Sequence, residues 1–393
     1  MIEQIRGGLT APLGFRCGTA CSGIKNPKAT RLDTALIVSD APCASAATFT
    51  SNAVKAAPVR LSMTHLKAGK IQAVVLNSGN ANACTGPMGM EIARRMAEAA
   101  GDRVGLKARQ VLVCSTGRIG IPLPLPRIEK GLKALTLGRT SSRKCARSIM
   151  TSDTFPKEIS CLVSTANGAF RIGAIAKGAG MIDPNMATML CVITTDAVVS
   201  QPVLRKLLRT AVESSFNRIT IDGDMSTNDT VIALANGASG VTPQPEDLLE
   251  ALDAVTQTLA RQIVLDGEGV TKFIAIEVQG ARTARDARRA AEAVANSTLV
   301  KCAWAGGDPN WGRIMDALGY SGAKLQEDRV QISYENLPLV QDGLAAITPW
   351  KKLKSIAARK EFTITIDLAL GSGTHTVWTT DLTQEFVRLN LSE

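Results

Sequence analysis

Histidine is almost absent from this chain of 393 residues, which contains only His65 and His375. Histidine is the commonest general base in enzymes and a frequent zinc ligand. Neither histidine lies in a cluster with cysteine or carboxylate residues, which disfavours a Ser-His-Asp triad and a zinc centre. An enzyme built from this sequence would therefore need a base other than imidazole.

Aromatic residues are also scarce, at 4% of the chain, and leave little for stacking against single-stranded nucleic acid. The formal net charge is +10, but the lysines and arginines are scattered and form no single basic stripe. We therefore expect no nucleic-acid partner, whereas small anionic substrates remain compatible with the charge.

The nine cysteines form no CxxC pair, which predicts reduced thiols that pack as small hydrophobic residues. No apolar run approaches the roughly 20 residues that a membrane helix requires. The first residues, Met-Ile-Glu-Gln-Ile-Arg, lack the basic head and apolar core of a signal peptide. Together these features predict a soluble, cytoplasmic protein with no membrane partner.

The sequence does contain a mixture of short strand-like and helix-like segments, without strict βαβ alternation. Runs rich in Val, Ile and Thr predict strands at Thr34–Val38, Gln72–Leu76, Gln110–Cys114, Ile159–Val163, Phe170–Ile175, Met189–Thr194, Phe273–Val278, Val330–Tyr334 and Phe362–Leu368. Helical spacing predicts helices at Met90–Ala100, Arg127–Leu135, Gln201–Ser215, Pro245–Leu265, Ala284–Ala295 and Thr348–Arg359. We therefore expect a layered, mixed α+β or α/β architecture in two or three compact units.

The segment from Lys177 to Leu190 is the most distinctive part of the chain. Asp183-Pro184-Asn185 interrupts the strand pattern just before Thr188, which stands at the head of an apolar run. A threonine inside a chain is a poor nucleophile because its hydroxyl is protonated at neutral pH. If the preceding bond were cut, the new α-amine, with an ordinary pKa of about 7.7–8.0, could take the hydroxyl proton. A nucleophile that supplies its own base would fit the shortage of histidine.

A second motif, Val113–Gly120, runs from a predicted strand into Ser-Thr-Gly. Backbone N–H groups are exposed where a strand ends, and a glycine lets a ligand approach closely. Acyl transfer requires such donors at the oxyanion of its tetrahedral intermediate. Taken alone, however, Ser-Thr-Gly is also a common turn.

Three further segments carry polar groups in positions suited to binding. Asp153 lies in a hydroxyl-rich turn that also contains Thr154, and it is expected to accept hydrogen bonds within the turn. Lys177, flanked by small residues, is a candidate cation for a carboxylate, and the neighbouring glycines expose Glu268. The run Asp222–Asp229 has three carboxylates but not the EF-hand spacing, so we expect a structural turn beside the site rather than a metal-binding loop.

These motifs, in this order, resemble the ornithine acetyltransferases of arginine biosynthesis, which cut themselves before a threonine. The resemblance runs from Gly14-Phe15 to Asp381-Leu382-Thr383. It implies a layered αββα sandwich of the ornithine acetyltransferase and DmpA type. It also implies cleavage between Ala187 and Thr188 into an α chain, residues 1–187, and a β chain, residues 188–393, with a sub-boundary near residue 280. The cut chains would assemble as α2β2.

The resemblance also implies a role for each candidate residue. Thr188 would be the nucleophile, and the Thr116 hydroxyl with the Gly117 N–H would form the oxyanion hole. The residues implied to bind substrate are Thr154, Lys177, Thr188, Glu268 and Asn390. Family members carry a Ser or Thr shortly after this asparagine, and Ser392 is the residue here that could replace it. No metal or organic cofactor is implied.

The activity implied is ping-pong transfer of the acetyl group from N2-acetylornithine to glutamate through an acetyl-Thr188 intermediate. The resemblance also admits acetyl-CoA as a second donor, which would add amino-acid N-acetyltransferase activity to glutamate N-acetyltransferase activity. Two alternatives fit the same residues: an N-terminal-nucleophile amidohydrolase or aminopeptidase of the same fold, and an uncleaved amino-acid-binding protein.

Overall fold

The computed structural model describes residues 1–183 and 189–391 of the chain. The strands are β1 (Ile2–Gln4), β2 (Phe15–Ala20), β3 (Thr34–Ser39), β4 (Ala44–Phe49), β5 (Ala73–Asn77), β6 (Val111–Ser115), β7 (Lys157–Thr165), β8 (Gly168–Lys177), β9 (Leu190–Thr195), β10 (Thr230–Ala235), β11 (Phe273–Ala281), β12 (Gln331–Tyr334), β13 (Leu337–Gln341), β14 (Leu344–Ala345), β15 (Glu361–Asp367) and β16 (Gly373–Thr380). The helices are α1 (Ala57–Ala68), α2 (Gly86–Val104), α3 (Leu125–Ala134), α4 (Ser142–Ser148), α5 (Gln201–Glu213), α6 (Pro245–Leu265), α7 (Ala284–Asn296), α8 (Thr298–Ala305), α9 (Trp311–Tyr320), α10 (Trp350–Ala357) and α11 (Gln384–Asn390).

The chain divides into two compact units. The first comprises Met1–Asn217 and Asp224–Ile263, and the second comprises Arg218–Gly223 and Val264–Glu393. The predicted cut between residues 187 and 188 does not coincide with the boundary between these units, because both residues belong to the first unit. That cut and the sub-boundary near residue 280 stay predictions.

Two sheets form the centre of the first unit. A six-stranded sheet has the order β1-β7-β8-β9-β10-β4, and a four-stranded sheet has the order β2-β3-β5-β6. Their facing side chains make one core, in which Ile37 and Leu112 of the smaller sheet join Val192 and Ile232 of the larger. Because side chains alternate along a strand, the neighbouring residue Leu36 points to the other face of the smaller sheet.

Helices cover the outer faces of both sheets. Helices α1, α2 and α3 bury residues such as Met96 and Leu132 against the smaller sheet. Helix α5 packs on β4 of the larger sheet, and α6 lies beside α5, where Ser214 Oγ donates to Asp253 Oδ1 at 2.6 Å. The first unit is therefore layered helix–sheet–sheet–helix, which confirms the predicted αββα sandwich. A strand covered on both faces is buried along its whole length, as β9 is.

The second unit is built on a third sheet with the order β14-β13-β12-β15-β11-β16. Helices α7 to α10 share one core with this sheet, in which Trp304 and Ile314 pack with Ile276 and Ile364. The Trp304 indole N–H donates to the buried Tyr334 hydroxyl at 3.0 Å. Across the described residues of both units, no helix has the length and apolar character needed to cross a membrane.

Candidate functional site

The predicted oxyanion motif is a tight loop directly after β6. Thr116 is buried and Gly117 is exposed. The φ angle of Gly117 is 126°, and a Cβ atom added there would lie 2.4 Å from Gly79 C and 2.5 Å from Asn80 N. Only glycine fits this conformation and this close approach of two backbone segments. The loop therefore has a fixed backbone conformation, and its role as an oxyanion hole stays a prediction.

Two buried asparagines fix this loop by hydrogen bonds. The Thr116 N–H donates to Asn77 O at 3.0 Å, and Ser115 Oγ donates to Asn77 Oδ1 at 2.6 Å. The Asn228 amide donates to Ser115 O at 2.9 Å and to Ala81 O at 2.7 Å. Such fixed positions are what donors need if they are to stabilise charge in a transition state without reorganising.

A buried charge cluster lies at the end of β8. Lys177, the last residue of β8, is only 2% exposed, and its Nζ lies 3.9 Å from Asp153 Oδ2. Lys157, the first residue of β7, is fully buried and donates from Nζ to Asp153 Oδ1 at 2.8 Å. Antiparallel pairing of β7 with β8 matches Lys157 with Ala176, so both ammonium groups meet the same carboxylate.

Asp153 is held as an anion between these lysines. Burial acts to raise its pKa, but the charges of Lys177 and Lys157 and the Gly178 N–H outweigh burial and lower the pKa to about 2. Asp153 Oδ2 also accepts from the Thr151 N–H at 3.0 Å, which confirms the predicted hydrogen bond within the turn. Two buried ammonium groups therefore contact one buried carboxylate.

The neighbouring residues place this cluster beside the start of β9. Thr154 directly follows Asp153 and is exposed. Lys177 is the antiparallel register partner of Leu190, the first residue of β9. Ala187 and Thr188, the predicted cleavage point and nucleophile, lie outside the described residues, as does Ser392. The described chain resumes at Met189, so Lys177 lies next to the strand that follows Thr188 in the sequence.

In the second unit, the two predicted substrate-binding residues are in contact. The Asn390 amide at the end of α11 donates to Glu268 Oε2 at 2.9 Å. Gly269 has a φ of 64°, and a Cβ there would lie 2.4 Å from Phe386 N, so glycine lets α11 approach the turn. Thr383 Oγ1 donates to Gly269 O at 2.5 Å and fixes the start of the helix. The structure therefore brings Glu268 and Asn390 together.

Other sequence candidates have ordinary structural surroundings. His65 Nδ1 lies 2.7 Å from Val111 O, a contact that joins α1 to β6. Asn310 caps α9 by accepting from the Arg313 N–H at 3.2 Å. Within residues 1–183 and 189–391, no group of three or more His, Cys, Asp and Glu side chains could hold a metal ion.

The sequence was then compared with known proteins. The family model described as "ArgJ family" matches residues 16–392. The "Arginine biosynthesis bifunctional protein ArgJ" of Geobacter sulfurreducens is 49% identical over 387 residues, covering 96% of this chain and 98% of that protein. The protein of the same name from Symbiobacterium thermophilum is 45% identical and is covered to 99%, as is this chain. A crystal structure of ornithine acetyltransferase complexed with ornithine, from Mycobacterium tuberculosis, is 36% identical, covers 47% of this chain and 98% of that chain, and has a TM-score of 0.42.

Proposed function

The chain belongs to the ArgJ family, and on that premise we propose that it transfers an acetyl group from N2-acetylornithine to glutamate in arginine biosynthesis. The products are ornithine and N-acetylglutamate. The nucleophile is Thr188, which becomes N-terminal when the chain cuts itself between Ala187 and Thr188.

The observation that carries this proposal is the buried cluster of Lys157, Asp153 and Lys177 beside the start of β9. N2-acetylornithine and glutamate share an α-carboxylate, and a desolvated ammonium group binds such an anion more strongly than an exposed one. Lys177 holds this carboxylate, and Thr154, an exposed residue, lies on the same turn as Asp153, the counter-ion of Lys177. Lys177 pairs with Leu190, so the cluster lies close to the strand that follows the nucleophile in the sequence.

Self-cleavage creates the catalyst. Thr188 Oγ1 attacks the Ala187 carbonyl carbon, the bond to Thr188 N breaks, and this nitrogen takes up a proton to become the α-amine. Water then hydrolyses the resulting ester, which leaves a carboxylate on Ala187 and restores the Thr188 hydroxyl. The new amine provides the base that the histidine-poor sequence otherwise lacks.

Acetyl transfer follows in two half-reactions. Thr188 Oγ1 attacks the acetyl carbonyl of N2-acetylornithine and passes its proton to its own α-amine, while Thr116 and Gly117 stabilise the oxyanion. The C–N bond breaks, the α-ammonium protonates the leaving nitrogen, and ornithine departs. The amine of glutamate then attacks the acetyl ester, which regenerates Thr188. No metal or cofactor takes part.

Several finer points follow from the family resemblance. We propose that Glu268, hydrogen-bonded to Asn390, binds the ammonium group of ornithine, that the cut chains assemble as α2β2, and that acetyl-CoA serves as a second acetyl donor to glutamate. We place the enzyme in the cytoplasm, since its nine cysteines are all free thiols and free thiols persist in a reducing compartment.

Gel electrophoresis and an acetyl-transfer assay test the proposal together. Denatured wild-type protein should run as two fragments of similar length, whereas Thr188→Ala should give one band and no transfer. Thr188→Ser keeps a hydroxyl and should still be cut. Each donor, N2-acetylornithine and acetyl-CoA, is then offered with glutamate, and N-acetylglutamate is measured.

The other outcomes select the alternatives. Hydrolysis of amides or peptides without transfer to glutamate would identify an N-terminal-nucleophile amidohydrolase. Tight amino-acid binding by a single uncut chain, without turnover, would identify a binding protein. A single band from fully active wild-type protein would refute cleavage as the activating step.

A further inference from the structure

One dipeptide, Asn228-Asp229, connects the oxyanion loop to the start of β9. The Asn228 amide is buried and donates both of its hydrogens to the loop side, to Ser115 O and Ala81 O. Asp229 Oδ1 accepts from the Met189 N–H at 3.0 Å, and the next residue, Thr230, donates from N to Met189 O at 3.1 Å. Met189 is thus held on both sides by the segment that holds the loop.

Met189 N is covalently bonded to the carbonyl carbon of Thr188. A hydrogen bond to the Met189 N–H therefore fixes the peptide group that joins Thr188 to β9. Since Asn228 fixes the Thr116–Gly117 loop, the separation between the proposed nucleophile and its oxyanion donors depends on this dipeptide. A misplacement of about 1 Å in such a geometry can reduce the rate of a reaction on the order of 100-fold.

The Asp229 side chain is fully buried among polar groups. The hydroxyls of Thr50 and Ser226 lie close to its carboxyl group, and Thr50 Oγ1 donates to Ser226 O at 2.7 Å. The hydrogen bond from the Met189 N–H to Oδ1 is therefore shielded from water.

Burial raises the pKa of the Asp229 carboxyl well above its usual range. The Met189 N–H, the charge of Lys177 and the hydroxyls of Thr50 and Ser226 only partly oppose this effect.

We infer that Asp229 is a positioning residue for Thr188: its Oδ1 accepts the Met189 N–H and so holds the chain at the start of β9, directly after the proposed nucleophile. This inference rests on the proposed function. It assigns to Asp229 an effect on both self-cleavage and acetyl transfer, beyond any contribution to folding.

Asp196 provides a matched control at the other end of the same strand. It is also fully buried, and it also ties backbone N–H groups, those of Leu13 at 2.9 Å and Arg171 at 2.6 Å. Asp196 follows Thr195, the last residue of β9, whereas Asp229 accepts from Met189, which precedes the first residue of β9. Substitutions at Asp196 therefore reproduce the structural damage without the effect on Thr188.

The experiment compares Asp229→Asn and Asp229→Leu with Asp196→Asn and Asp196→Leu in the full chain. Circular dichroism and thermal unfolding report folding, a gel time course reports cleavage, and kcat and KM are measured per cut chain. Asp229→Leu should fold but cut on the order of 100-fold more slowly than wild type. Asp229→Asn keeps a side-chain oxygen that can accept from the Met189 N–H, so this variant should be cut, with kcat within about tenfold of wild type.

Each outcome decides the inference. It is supported if Asp196 variants are cut at the wild-type rate, even with lower Tm, while Asp229→Leu is not. It is overturned if folded Asp229→Leu is cut and turns over like wild type, or if folded Asp229→Asn stays uncut. If Asp229→Leu does not fold, Asp229→Asn alone decides by the same criterion. A wild-type chain that is never cut would instead refute the proposed function.

Discussion

Replacing Gly117 by alanine tests the oxyanion loop most directly. At a φ of 126° an alanine is strained, and its Cβ would lie 2.4 Å from Gly79 C. Because that neighbour is backbone, the contact cannot be relieved by a side-chain rotation. The loop must move by about 1 Å to reach an ordinary separation of carbon atoms.

The expected loss follows from these two effects. Backbone strain of this type costs about 1–3 kcal/mol of folding free energy. Displacing one oxyanion donor typically reduces the rate about 10²–10³-fold, which corresponds to about 2.7–4 kcal/mol of transition-state stabilisation. We therefore expect Gly117→Ala to fold with reduced stability and to lose catalysis by that factor.

Gly120→Ala is the control, since it separates strain from displacement of the loop. Gly120 has a φ of 80°, but no atom lies within 4 Å of the Cβ that an alanine would add. Both variants should therefore lose stability, measured by urea unfolding, while only Gly117→Ala loses activity. Activity is measured as acetyl transfer per cut chain at saturating substrate, together with a time course of cleavage.

The reasoning would be refuted by either of two results. One is a Gly117→Ala enzyme that retains activity within about fivefold of Gly120→Ala, because a displaced donor should cost far more. The other is an equal loss of activity in both variants, which would assign the effect to backbone strain alone.

Three further predictions concern charged groups. Asp153→Asn removes the buried carboxylate that the ammonium groups of Lys157 and Lys177 contact and should lower the free energy of unfolding by about 3–5 kcal/mol at neutral pH. In the wild type the folded-state pKa of Asp153 is about 2, below its ordinary value of 3.8. The stabilisation that the carboxylate provides is therefore present above pH 4 and is lost as the pH falls toward 2. Urea unfolding across this pH range should show the decrease in stability in the wild type but not in Asp153→Asn. Glu268→Gln should raise KM for N2-acetylornithine about 10–100-fold with little change in kcat, whereas Glu385→Gln, an exposed acid on α11, should change neither in steady-state kinetics. Burial lowers the pKa of Lys301 to about 7 from 10.5. Between these pH values the unfolded chain binds one more proton than the folded chain, so the free energy of unfolding should rise by up to about 1.4 kcal/mol per pH unit. Lys301→Met should flatten this slope, and an unchanged slope would contradict the lowered pKa of Lys301.

Local patterns in the sequence were sufficient to predict most of the central elements. The run Gln72–Leu76 predicts β5, which is found at Ala73–Asn77. The prediction depends on the four apolar residues Ala73 to Leu76, which are typical of a strand covered on both faces. The predicted helix Pro245–Leu265 has the same bounds in the structure, since its proline and the following acids suit a helix start. Helix α1 was not predicted, although Pro58 stands in its first turn.

The candidate site was predictable only where a motif is continuous along the chain. Thr116 and Gly117 adjoin each other, and their role depends on one loop. Asn228 supports that loop from 113 residues away through Ser115, and the role of Lys157 depends on how β7 pairs with β8. A single sequence contains no local signal for such long-range partners. The run that contains Asn228 was therefore predicted only as a turn beside the site, and Lys157 was not identified.

The strand order of the six-stranded sheet has a consequence for the chain after cleavage. Strands β9 and β10 come from residues 188–393, and they lie between β8 and β4, which come from residues 1–187. The two fragments would thus be interleaved in one sheet, each fragment completing the hydrogen-bonded ladders of the other. Neither fragment could leave without breaking the β8–β9 and β10–β4 ladders, so dissociation and unfolding become one event. Reassembly would then be bimolecular, and the apparent stability of the cut protein would depend on its concentration.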